Sequence, residues 1–73
     1  MDENLKQEKL KMWQDNLKKL EEQLVAVQQK KGLAAQEGDL SENAAYSMAI
    51  EDATTLRVQI EQVKKIIKEL EKN

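Results

Sequence analysis

Asp39 and Glu42 are the residues of this chain best suited to chemistry. They stand three apart in the segment Gly38-Asp39-Leu40-Ser41-Glu42-Asn43, and at a helix start that spacing presents both carboxylates to one side. Hard oxygen ligands suit Mg²⁺, which keeps most of its waters and is commonly held by one or two protein carboxylates. Two carboxylates do not build a tight cage alone, but they can complete one that a partner supplies. Other chemistries are closed off. The 73 residues contain no Cys and no His, so thiol nucleophiles, structural zinc sites, Ser-His-Asp triads and imidazole bases are excluded.

The elements that must position this pair are two long helices. On the first half, Leu10, Trp13, Leu17, Leu20, Leu24, Val27, Lys31 and Ala34 alternate steps of three and four. On the second, Tyr46, Ala49, Ala53, Leu56, Ile60, Val63, Ile67 and Leu70 repeat the pattern. This is a coiled-coil seam, apolar at the a and d positions with one lysine on it. Paired in antiparallel order, from 34 with 46 out to 10 with 70, every couple of positions adds to 80. The centre is residue 40. The expected fold is therefore all-α, an antiparallel two-helix coiled-coil hairpin with an acidic tip, formed by residues 1–73 as a single domain. Helix 1 is expected over about 4–36, the tip over 37–41 and helix 2 over about 42–72. At ~1.5 Å per residue each arm spans roughly 45–50 Å.

Local chemistry supports a turn there. Gly38 can take the left-handed backbone that ends a helix. Asp39 or Ser41 can cap the second helix, and Asp39 with Glu42 three residues on has the spacing of a capping box. The structural rival is a dimer of long unbroken helices, which would make Gly38-Asp39 at the mirror centre a coincidence.

Charge is unevenly placed. Positions 32–56 hold five acids (Glu37, Asp39, Glu42, Glu51, Asp52) and no base; the rest of the chain holds nine acids and twelve bases. The rod is thus acidic towards its turn and mildly basic in its stem. Turns and helix N-termini favour such residues in any case, so acidity alone does not assign a function. The net charge of −2 argues against general nucleic-acid affinity, and no DNA partner is expected. No apolar run is long enough for a membrane span; a cytoplasmic location and no membrane partner are expected.

The segment Gly38-Asp39-Leu40-Ser41-Glu42-Asn43-Ala44-Ala45-Tyr46 closely resembles the G-D-L-S-E-N-A-x-Y tip motif of the GreA/GreB transcript cleavage factors. The resemblance covers essentially the whole chain and the N-terminal half of the family; the FKBP-like globular domain that follows in the family is expected to be absent. It implies a transcription elongation factor-like module that inserts into the secondary channel of bacterial RNA polymerase and stimulates cleavage of backtracked RNA. By position, Asp39 and Glu42 would be the tip carboxylates that act in the partner's active site. They would help hold a Mg²⁺ shared with the polymerase and bound only when docked. Leu40, Ser41 and Asn43 would be tip contacts. The hairpin would not itself be an enzyme, because a two-helix rod has no pocket to exclude water from its carboxylates.

The sequence also departs from that family. Where GreA-like hairpins carry basic residues four before the motif Asp and eleven after it, this chain has Ala35 and Ile50, so contact with nascent RNA would be indirect. Two alternatives follow: a secondary-channel competitor or inhibitor without cleavage activity, or a plain coiled-coil dimerisation or adaptor module. Weak self-association through Val25, Val58 or Ile66 is a further expectation. Tyr46 is read as core closing the tip, Trp13 as packing near the open end, and Lys31 as a snorkelling seam residue. Leu40 has two readings, a plug folded back on the hairpin or a contact to the partner.

Overall fold

The computed structural model describes residues 2–72. It consists of helix α1, Glu3–Ala35, and helix α2, Ala44–Glu71, folded back on each other into a rod of 55 × 14 × 12 Å. The rival of one unbroken helix is thereby removed. Both helices are rich in Leu, Glu, Lys, Gln and Ala, all strong helix formers, and contain no proline to interrupt them. α1 begins at a cap: Asp2 Oδ1 accepts the Asn4 N–H at 3.2 Å, with Glu3 in the first turn, where the helix dipole favours an acid.

The seam is as the spacing predicts. Every one of its sixteen positions is buried or half-buried, whereas most flanking residues are exposed. Ala53 is the most enclosed at 2% exposure, and the small Ala34, Ala49 and Ala53 let the helices approach closely in the distal half. Larger side chains, Leu56, Ile60 and Val63, fill the middle of the seam. The register is also visible in what lines the grooves between the helices. Val27 shares a groove with Asp52, Ala34 with Ala45 and Ala49, and Gln23 with Thr55 and Leu56, all pairs whose numbers sum close to 80.

Apolar burial holds the arms together. Among the described residues both ion pairs, Lys64–Glu61 at 3.7 Å and Lys72–Glu69 at 3.3 Å, lie at the α2 end of the chain and are solvent-exposed. Exposed pairs of this kind contribute little, and neither crosses to α1. Lys31 is half-buried on the seam, as expected of a snorkelling lysine whose aliphatic stem covers apolar surface.

The connection differs in detail from the expectation. It spans 36–43 rather than 37–41, and α2 starts at Ala44 rather than near 42. The N-cap is Asn43, not Asp39 or Ser41. The physical reason is competition for the same oxygen: the Asp39 carboxylate is already used inside the turn, as described below, and so does not form a capping box with Glu42.

Candidate functional site

α1 ends by tightening. The Gln36 and Glu37 N–H groups donate to the carbonyls of Leu33 (3.2 Å) and Ala34 (3.1 Å), three residues back, as in a 3₁₀ closure that satisfies terminal carbonyls. Gly38 then adopts φ +120°, in the region that residues with a Cβ rarely enter. This is the left-handed break expected of Gly38.

The apex follows. Asp39 Oδ1 accepts two hydrogen bonds from Ser41, one from its hydroxyl at 2.8 Å and one from its backbone N–H at 3.0 Å, forming an Asx-turn. The Ser41 hydroxyl first, and its N–H second, hold the Asp39 carboxyl below its usual value, since donors to the charged form favour it. Both bonds fall on Oδ1, and among the described residues nothing donates to Oδ2. Leu40 to Asn43 form a second turn, closed by Asn43 N–H donating to the Leu40 carbonyl at 3.4 Å, with Ser41 and Glu42 at its centre. Glu42 is exposed, and among the described residues its side chain makes no hydrogen bond. The two carboxylates therefore stand at the far end of a 55 Å rod, both open to solvent.

Asn43 closes the structure. Its Oδ1 accepts the Tyr46 N–H at 3.1 Å, capping α2, and its Nδ2 donates to the Ala34 carbonyl at 2.7 Å, at the end of α1. Both ends of the amide are thus committed within the protein, and the residue is half-buried. Its part as a staple between the helices is one that motif reading did not find, although Asn three residues before Tyr46 is a favoured cap position. Leu40, by contrast, is 42% exposed and does not plug the hairpin. Tyr46, half-buried, and the buried Ala34 lie directly beneath the turn.

The donor set bears on metal binding. Among the described residues no group of three or more acidic, His or Cys side chains gathers at one point. Two exposed carboxylates suit a hydrated Mg²⁺ whose other ligands come from elsewhere; they do not suit a resident metal held by this chain alone.

The family model for the transcription elongation factor N-terminal domain of GreA/GreB matches residues 4–71. The chain belongs to that family. Comparison with curated proteins and with solved structures returned no match. The match takes in both arms and the turn of this GreA/GreB hairpin, so the sequence resemblance at 38–46 extends along the rod. No helix among its described residues is long and apolar enough to cross a membrane.

Proposed function

We propose that this hairpin enters the secondary channel of bacterial RNA polymerase tip first and stimulates cleavage of backtracked RNA. Asp39 and Glu42 are the residues that would hold a Mg²⁺ shared with the polymerase. Such an ion, when bound, supplies Lewis acidity and a more acidic water. The polymerase is the enzyme in this reading and the hairpin an accessory, acting in a bacterial cytoplasm without DNA contact of its own. The observation behind it is the placement of two exposed carboxylates at the apex of a narrow rod, in a chain of the elongation factor family. Ser41 fixes Asp39 Oδ1 and favours the ionised carboxylate, so the group is oriented before docking and Oδ2 is the oxygen that would be offered to the ion. Leu40, projecting beside it, makes an apolar contact with the channel wall.

The acidic distal half favours the same reading, because an acid tip is drawn to a cation-holding site and repelled by nucleic-acid phosphates. The absence of Lys and Arg from 32–56 favours one second reading, occupation of the channel as a competitor, with Ala35 and Ile50 giving no basic contact to RNA.

A stalled bacterial elongation complex with Mg²⁺ separates the two. Added hairpin is expected to shorten the backtracked transcript, and the double substitution Asp39→Asn with Glu42→Gln to abolish that effect. Helicity and melting should be unchanged, since the amide introduced at position 39 keeps an acceptor for Ser41 and Glu42 is unbonded. Cleavage that survives the double substitution rules out the role given to the pair. Slowed elongation without shortening assigns the hairpin to competition instead.

A further inference from the structure

Of the large apolar side chains exposed outside the seam, Leu5, Met12, Leu33 and Met48 share one face of the rod, whereas Val25, Leu40, Ile50 and Val58 lie elsewhere. Leu5, Met12, Ala26 and Leu33 recur every seven residues along α1, interrupted only at Lys19. All are exposed, Leu5 at 44%, Met12 at 56% and Leu33 at 64%. Seven-residue spacing keeps them on one stripe along the flank of α1, outside Lys9, Gln23 and Lys30. Met48 of α2, 62% exposed, joins it: Leu33 and Met48 line one groove between the helices, of about 380 Å³, together with Ala45. A second groove of about 390 Å³ adjoins it through Val27, Lys30 and Asp52, and is lined by Ala26 and Thr55. One long face thus presents two grooves in its distal half and two large projecting side chains, Leu5 and Met12, in its stem.

We infer that this face binds a second copy of the chain, antiparallel, with the two-fold axis at Lys19. In that arrangement position n of α1 lies level with position 38 − n of the other copy's α1. Leu5 then meets the groove of Leu33 and Met48, and Met12 meets the groove of Ala26 and Thr55. Symmetry repeats each contact, so two projections fill two grooves in both directions.

Charge selects the orientation. Antiparallel rods keep the two base-free 32–56 regions, each with five acids, apart, setting each level with the other copy's residues 2–14 and 66–72, where five acids and five bases balance, and bring Lys9 close to level with Asp52. Parallel rods would stack two acidic halves and be disfavoured. At the axis each Lys19 lies within one turn of Asp15 and Glu22, which offsets the meeting of two lysines. A face 55 Å long and 14 Å wide offers on the order of 800 Å², about what each partner of a standard interface buries. Of the residues the sequence pointed to, Val25 and Val58 lie off this stripe. The pairing is independent of the polymerase reading.

Sedimentation equilibrium from micromolar to millimolar chain tests it. The mass is expected to rise from 8.4 kDa to twice that and no further, with affinity falling as salt is raised. Met12→Glu with Leu33→Glu should weaken the dimer at least tenfold while leaving helicity intact, because both side chains are exposed. The chain has no cysteine of its own, so Lys19→Cys should give a disulfide-linked dimer on mild oxidation. Leu33→Cys alone should not, whereas Leu5→Cys and Leu33→Cys together should. A monomer throughout, a dimer indifferent to the double Glu variant, an open series of larger masses, or Leu33→Cys linking as readily as Lys19→Cys would each overturn the proposal.

Discussion

The side chain of Asn43 reaches the carbonyl of Ala34 at 2.7 Å, nine residues back and on the other helix. Because the same amide caps α2 through Tyr46 N–H, one residue ties the end of α1 to the start of α2. Asn43→Ala removes a cap, worth about 0.5–2 kcal/mol, and a hydrogen bond worth roughly 1 kcal/mol. Thermal melting followed by circular dichroism should therefore show a loss of about 1.5–3 kcal/mol. Asn43→Asp keeps the capping oxygen but turns an acceptor oxygen on the Ala34 carbonyl in place of the N–H₂ donor, so at neutral pH it should also fall below the parent in stability.

The two glycines should respond to alanine with opposite signs. A Cβ at either position meets nothing within 4 Å, so sterics do not decide. Gly32 lies within α1 in ordinary helical backbone, and Gly32→Ala should stabilise by about 0.5–1 kcal/mol. Gly38 sits at φ +120°, and Gly38→Ala should cost about 1–3 kcal/mol through backbone strain. Denaturant midpoints of the two variants on opposite sides of the parent check this.

Ser41 should control the titration of Asp39. A carboxyl whose folded value lies below its unfolded one stabilises the fold at pH above the unfolded value. That contribution disappears as pH falls through the folded value. Asp39 is solvent-exposed, so the effect belongs to the turn and not to global stability. Carboxyl carbon NMR should find Asp39 titrating below the ordinary Asp range, near 3.9, and Ser41→Ala should move it upward. An Asp39 that titrates normally in the parent would remove the preorientation argument.

Lys31 is the one charged residue on the seam. Replacing it by Leu puts an apolar side chain on a half-buried position beside the small Ala49, and should raise stability by roughly 1 kcal/mol. Ala53→Leu should do the reverse by about 1–3 kcal/mol, because at 2% exposure there is no room for the added carbons. Urea melts of both variants would register the opposite shifts.

The seam and the fold-back were legible in the sequence because both rest on periodicity summed over sixteen positions, where no single residue decides. The bounds of the turn were not. Asp39, Ser41 and Asn43 are all good cap residues by type, and propensity ranks them nearly equal. What separates them is tertiary: only Asn43 carries an amide N–H₂ able to reach Ala34, and the Asp39 oxygen is drawn into its own local turn with Ser41. The apolar stripe from Leu5 to Leu33 also had its period in plain sight. Its meaning depends on grooves that exist only once the second helix lies alongside.

The chain has a single Trp and a single Tyr, and the hairpin sets them near opposite ends, Trp13 towards the open end and Tyr46 just below the turn, both half-buried. About 21 residues of helix at ~1.5 Å each separate their levels by roughly 30 Å. Each end therefore has a native optical reporter. Indole emission follows fraying of the termini, while phenol absorbance follows opening of the apex. Whether the rod unzips from one end or melts as a unit can be read from their coincidence, with no label attached.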